Sequence, residues 1–349
     1  LLIDDDFVFM PQPHRPSLWG PALCLVAVLA LALVAALPAR AAGSGAAPAA
    51  APAAACSAPT AGSFTVSVQS GGIVRQALVH VPAGIPAGTP APLLLALHGA
   101  YGTGPGMETY SGFSSLADTD DFIVAYPNAA GHFWNISGAS NQPNDVAFIS
   151  ALISTLESNL CIDSSRVYAA GVSNGAGMVA LLGCDLSTHL AGIAAVAGDY
   201  DKLPACHLKR PVPLLEIHGT SDRIAPYRGK GAHATVNGLP PFVDEWAGWD
   251  GCSGSATSRP IATHTVMFKW KKCSRAATVE HIRIIAGRHQ WPGATPPDPG
   301  PASTICASCA IWSFFSTLGA QSTSPAPAPP STTQPPTTGG APPSGGAQP

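Results

Sequence analysis

Residues Arg166-Val167-Tyr168-Ala169-Ala170 form a short apolar run that leads through Gly171-Val172-Ser173-Asn174-Gly175 into Ala176-Gly177-Met178-Val179-Ala180-Leu181-Leu182. No other segment constrains the fold as strongly. The first run has the composition of a buried strand and the last that of a helix, so the chain must reverse direction at the pentapeptide. A serine at the apex of such a turn has strained backbone angles. Side chains two residues to either side would strike the strand and the helix, which accounts for glycine at 171 and 175. The turn lifts Ser173 Oγ above the end of the sheet and brings the Asn174 N–H beside it.

The flanking pattern extends this into an architecture. Phe64 to Val68 alternates like a strand, and Val74 to Val81 follows as its hairpin partner across Ser70-Gly71-Gly72. Leu93 to Leu97 and Phe122 to Tyr126 are continuous apolar runs, as strands buried on both faces require. Val146, Ile149, Leu152, Ile153 and Leu156 share a helical face between Asp145 and Leu160. Ile193 to Ala197, Pro213 to His218 and Val279 to Ala286 supply three more strands, and Ala310 to Leu318 a closing helix. Strands alternating with helices predict an α/β fold with a doubly wound, mostly parallel sheet and ligands at the strands' carboxyl ends. Residues 63–320 form the expected single catalytic domain.

The flanks read differently. Residues 1–41 carry an apolar stretch from Ala22 to Leu37, with His14 and Arg15 before it and Ala39-Arg40-Ala41 after it. This is the pattern of a cleaved export signal, and a stretch of about 16 residues is short for a membrane span. Leu1 to Phe9 carry three aspartates, which suits a signal poorly, so translation is expected to begin at Met10. Residues 42–62 form an Ala/Pro spacer and residues 321–349 a Pro/Ser/Thr-rich tail, neither able to build a core. Net charge is −3 and charged residues make up 11%, with no basic stripe, which argues against nucleic acid as a partner. No cofactor fingerprint is present.

Of nine cysteines, Cys24 falls within the signal. The other eight fit disulfides in an oxidising compartment, hence a secreted protein without a stable anchor. Cys252 with Cys273, and Cys161 with Cys184, are the expected pairs. Cys306-Ala307-Ser308-Cys309 has zinc-ligand spacing, but no second C-x-x-C or H-x-x-x-H accompanies it, so no metal site is expected.

Serine becomes a nucleophile when histidine takes its proton, and the histidine needs an acid to hold its tautomer. Asp222, in His218-Gly219-Thr220-Ser221-Asp222, follows a late strand; Asp199, Asp201 and Glu216 are the rivals. His289 stands just past the last strand, whereas His281 falls within it and His233 and His264 come before it. The expected triad is therefore Ser173, Asp222 and His289. The expected oxyanion donors are the backbone N–H groups of Asn174 and of Ala100, with Tyr101 as second choice to Ala100. His98 and His218, each before a glycine, are read as loop braces without chemistry.

These segments resemble the secreted polyhydroxybutyrate depolymerase-like esterases, a group that overlaps the family 1 carbohydrate esterases and belongs to the α/β-hydrolases. The resemblance rests on Cys161 to Met178, Leu97-His98-Gly99, Ala191 to Gly198, His218 to Asp222 and His289-Gln290-Trp291-Pro292-Gly293, in order over residues 63–318. It implies the same triad. It also implies a serine esterase acting on hydroxyalkanoate oligomers or other short esters, with feruloyl or acetylxylan esters as the alternative. The chain departs from the family at Ala176, where a second glycine is usual, near Ala100, and at Arg288 and Gln290, changes that bear on acyl preference. Trp134, Tyr227 and Trp291, with Tyr101, are candidates for an aromatic substrate wall. The tail carries no substrate-binding domain, so soluble substrates are expected; the protein is also expected to be a monomer. A peptidase is a second reading. A catalytically silent binding protein is a third, against which the intact Ser, Asp, His order speaks. Deleting residues 321–349 is expected to leave the melting temperature unchanged, which calorimetry would check.

Overall fold

The structure, a computed structural model, describes residues 60–229, 240–295, 297 and 305–322. The expected export signal, most of the expected spacer, nearly all of the expected tail and His233 lie outside these residues. Two strands, β1 (Gly62–Ser70) and β2 (Ile73–Val81), form the expected hairpin in antiparallel register. The parallel strands are β3 (Ala91–Leu97), β4 (Ile123–Pro127), β5 (Ile162–Val172), β6 (Gly192–Val196), β7 (Leu214–Gly219) and β10 (Val279–Ile284), which run side by side in the order β4-β3-β5-β6-β7-β10. A second hairpin, β8 (Thr257–Ala262) and β9 (Thr265–Lys269), closes the far edge.

The ten-stranded sheet carries a helical layer on each face. Helices α3 (Asp145–Asn159), α4 (Asn174–Asp185) and α5 (Pro241–Trp249) cover one face, and α1 (Gly104–Ser111), α2 (Phe113–Asp120) and α6 (Ala307–Ser322) the other. Strand alternation sets this division: Leu93, Leu95 and Leu97 of β3 join the first layer, while Leu94 and Ala96 join the second. All seven residues of β3 are buried, so its apolar run is the signature of a strand covered twice. Arg75 of β2 ion-pairs with Asp145 at 2.8 Å, both buried, and so fixes the start of α3 against the sheet.

Three helices and the edge hairpin were not legible in the sequence. Strand β1 begins at Gly62 and α6 runs to Ser322. Helix α1 begins Gly104-Pro105-Gly106, poor helix formers, and is set by its Thr103 cap, which accepts from the Gly106 N–H. Strand β8 is exposed along most of its length and includes Pro260, so it shows no apolar alternation.

Cys252 pairs with Cys273 as expected, bracketing the β8–β9 hairpin. Cys161 and Cys184 do not pair with each other. Cys184 bonds Cys206, because the segment after β6 returns past the end of α4, where Lys209 N–H donates to Ser187 Oγ and Arg210 to the Leu190 carbonyl. Cys161 is disulfide-bonded elsewhere, and Cys306 bonds Cys309. Non-reducing peptide maps should recover the 184–206 and 252–273 links. Reduction should lower the melting temperature, since each link is worth about 2–4 kcal/mol by restricting the unfolded chain. Free thiols at these four positions would refute the pairing.

Candidate active site

Strand β5 ends at Val172 and α4 begins at Asn174, so Ser173 alone makes the reversal, at φ 56° and ψ −121°. A non-glycine residue held there costs about 1–3 kcal/mol, which the surroundings must supply. A Cβ on Gly171 would lie 2.6 Å from the Gly175 carbonyl oxygen, and a Cβ on Gly175 would lie 2.4 Å from that of His98. The elbow therefore closes only around glycine at both positions. Ser173 N–H donates to the Val196 carbonyl at 2.9 Å, which ties the apex to β6.

The segment after β3 lies against this turn. His98 is 2% exposed; its Nδ1 bonds the Gly99 carbonyl at 2.7 Å and its Nε2 accepts from the Ala129 N–H at 3.1 Å. Burial lowers its imidazole pKa from the ordinary value, consistent with a neutral ring that braces the loop. The Tyr101 N–H donates to the His132 carbonyl at 2.9 Å, so this donor is already engaged within the protein. Among the described residues, no acceptor takes the Asn174 or the Ala100 N–H. The Asn174 side chain accepts from the Trp134 N–H at 2.7 Å and donates to the Trp134 carbonyl, which orients the start of α4.

Asp222 and His289 meet because their loops are zipped together. Thr220 N–H donates to the Ile284 carbonyl and Ser221 N–H to that of Gly287, while Ala286 N–H donates to Thr220 Oγ1. Asp222 Oδ1 accepts from the Ile224 and Ala225 N–H groups, each at 2.9 Å. Its Oδ2 lies 2.8 Å from His289 Nδ1. With Nδ1–H given to the carboxylate, Nε2 is the nitrogen left to act as base. Burial alone would raise the Asp222 carboxyl, but hydrogen bonds from His218 and His289 outweigh it and hold the group well below the usual carboxylate range. Ser173, Asp222 and His289 thus all follow carboxyl ends of parallel strands, β5, β7 and β10, with β6 between the first two.

The other candidates sit elsewhere. His264 occupies the β8–β9 turn and His281 lies inside β10. Asp199 N–H lies 3.4 Å from the Ser173 carbonyl oxygen, and among the described residues its carboxylate has no histidine partner. Three of the four wall candidates are packed inside. Trp134 is 3% exposed with its indole N–H on the His98 carbonyl, Trp291 is 1% exposed with its own on Ser308 Oγ, and Tyr227 is 5% exposed with its hydroxyl 2.8 Å from His281 Nε2. Tyr101, 79% exposed and edge-on to Phe133, is the aromatic that faces solvent. Glu216, weighed in the sequence as a rival acid, and His218, read there as a loop brace, stand directly behind Asp222; a buried acid inside a parallel strand was the available signal for their pairing.

Changing Asp222 to Asn should keep the fold and cut kcat by about four orders of magnitude, because an amide N–H facing Nδ1 favours the wrong tautomer. Since the folded value of Asp222 is depressed, its contribution to stability is present above its ordinary value of 3.8 and is lost as pH falls through the folded value. Melting curves of the two proteins should differ at pH 6 and converge in strong acid. Equal stability at pH 6 would contradict the assignment.

Residues 76–200 match the family model described as esterase PHB depolymerase. The chain is 31% identical over 229 residues to feruloyl esterase B of Piromyces equi, covering 62% of this chain and 42% of that protein. It is 28% identical over 295 residues to poly(3-hydroxyalkanoate) depolymerase C of Paucimonas lemoignei, covering 70% of this chain and 67% of that one. Among solved structures, acetyl xylan esterase from Aspergillus awamori superposes with a TM-score of 0.52 at 17% identity, over 65% of this chain and 94% of that one, a likeness of fold. The chain thus spans less than half the length of its feruloyl esterase relative. The fold is that of the α/β-hydrolases, and over residues 76–200 the sequence is similar to the esterases of the PHB depolymerase type.

Proposed function

We propose that this protein is a secreted serine carboxylic-ester hydrolase. The observation that carries the reading is the 2.8 Å bond from His289 Nδ1 to a buried Asp222, at the sheet end where the strained Ser173 elbow stands. Ser173 Oγ attacks the ester carbonyl while His289 Nε2 takes its proton. Negative charge building on the carbonyl oxygen is met by the Asn174 and Ala100 N–H groups, which are fixed in place and need no reorganisation. The alcohol leaves with the proton from His289, and water then repeats the sequence on the acyl-enzyme. No step requires a metal or cofactor.

The substrate class is short esters, with hydroxyalkanoate oligomers first, in keeping with the family model and the depolymerase relative. Feruloyl or acetylxylan esters are the second reading, favoured by the similarity to feruloyl esterase B. Disulfides at 184–206, 252–273 and 306–309 support an oxidising, extracellular location. Among the described residues no helix is long and apolar enough to cross a membrane.

A fluorophosphonate probe should label the protein at Ser173. Changing Ser173 to Ala should abolish labelling and reduce hydrolysis of p-nitrophenyl butyrate by at least about a thousandfold, without lowering the melting temperature. A variant that keeps a tenth of the rate would overturn the assignment. A panel of hydroxybutyrate oligomers, methyl ferulate and acetylated xylan, ranked by kcat/KM, separates the two substrate readings.

A further inference from the structure

Glu216 is wholly buried in the middle of a parallel strand, where carboxylates are rare unless paired. Alternation puts Glu216 and His218 on the same face of β7, and the register sets His281 of β10 directly beside Glu216. Glu216 Oε2 lies 2.6 Å from His281 Nδ1, and Oε1 lies 2.8 Å from His218 Nδ1 and 3.3 Å from the Tyr200 hydroxyl that donates to it. His218 Nε2 faces the Ala225 carbonyl at 2.8 Å and Asp222 Oδ2 at 3.2 Å. Nε2 therefore has only acceptors before it and must carry a hydrogen. Nδ1 faces Glu216 Oε1, which already accepts from the Tyr200 hydroxyl, so with Glu216 ionised Nδ1 carries one as well.

We propose that Glu216 and His218 are positioning residues for the triad acid: an imidazolium at His218, fixed by the Glu216 carboxylate, grips the same Asp222 oxygen that binds His289. This rests on the esterase reading above and adds two residues to its machinery. Asp222 is then held from four sides, by two backbone N–H groups on Oδ1, by the His289 Nδ1–H on Oδ2, and by the His218 imidazolium 3.2 Å from the same oxygen, whose Nε2–H also bonds the Ala225 carbonyl. The carboxylate has one orientation and stays ionised. The buried charges alternate from Glu216 to His218 to Asp222, and a positive charge behind the acid opposes a second one on His289. The groups facing His218 are Glu216 on its own strand, Asp222 and Tyr227 from the segment after β7, Arg283 of β10, which pairs with it in register and whose guanidinium stacks on Phe268, and, through Glu216, Tyr200 from the segment after β6 and His281 from β10. Burial alone would lower the His218 imidazole, yet the neighbouring carboxylates push it up to about 10. Burial would likewise raise Glu216, and the two histidines bring it down to about 2.

Nitrogen-15 NMR of the wild-type protein reads the first half of the proposal directly. At pH 8 both His218 nitrogens should carry hydrogen, whereas an ordinary histidine is neutral there. Kinetics of His218→Gln read the second half. Removing the cation makes protonation of the catalytic base easier, so the acid limb of kcat/KM should move up by about one pH unit. Loss of the grip should lower kcat on the order of tenfold to a hundredfold, as loss of an outer partner does at metal sites. KM for p-nitrophenyl butyrate should stay within about twofold, because neither residue touches substrate. Should His218→Gln not fold, Glu216→Gln provides the kinetic test: His218 loses its counter-charge, should be neutral by pH 8, and kcat should fall by a similar factor. If neither variant folds, the wild-type spectrum decides. A neutral His218 at pH 8, or a folded variant with wild-type kcat and an unmoved acid limb, overturns the proposal. Failure of the esterase reading would appear instead as activity surviving in Ser173→Ala, which leaves the His218 spectrum untouched.

Discussion

The site depends on two backbone segments that touch with no side chain between them. Gly175, two residues past Ser173, lies against the Leu97 and His98 carbonyls at the end of β3, and a Cβ would have to occupy the space those oxygens fill. This contact holds Ser173 at its positive φ, starts α4 at Asn174 and brings the segment carrying Ala100 beside Ser173. Trp134 secures the arrangement from outside, with its indole on the His98 carbonyl and its backbone on the Asn174 side chain. A strained serine is held because packing on both sides leaves it no other conformation.

A different physics holds the acid and the histidine. Asp222 is buried with its charge intact, and a buried charge must be paired and fully hydrogen-bonded to be tolerated. Two backbone N–H groups and two imidazoles meet that requirement, and Glu216 meets it in turn for His218. Stability and geometry are therefore linked here: the bonds that keep the carboxylate ionised are the ones that aim it. Asp250 is a contrast within the same domain. Burial raises its carboxyl to about 7, against a single backbone donor from Val212.

The helix α6 extends this logic to the histidine loop. Ser308 in its first turn accepts from the Trp291 indole and donates to the Ser111 carbonyl, while Ala307 N–H donates to the Pro292 carbonyl. Trp291 thus serves as an anchor that sets the segment just past His289. Its burial follows from that task, and an aromatic ring serves equally well in either role by composition alone.

The sequence by itself determined the elbow, the strand order of Ser173, Asp222 and His289, and the buried parallel strands. Each of these follows from local sterics or from periodicity within a dozen residues: glycines two positions either side of a serine, continuous apolar runs, a histidine just beyond a strand. Only the tertiary structure decided the partner of Cys184, the inward packing of Trp134, Tyr227 and Trp291, and the contacts of Glu216 and His218 behind Asp222. These depend on residues far apart in the chain, such as His281 and Glu216 across neighbouring strands, or Cys206 carried back to the end of α4. Side-chain chemistry states what a residue can bond, but convergence of distant segments decides which bond it makes.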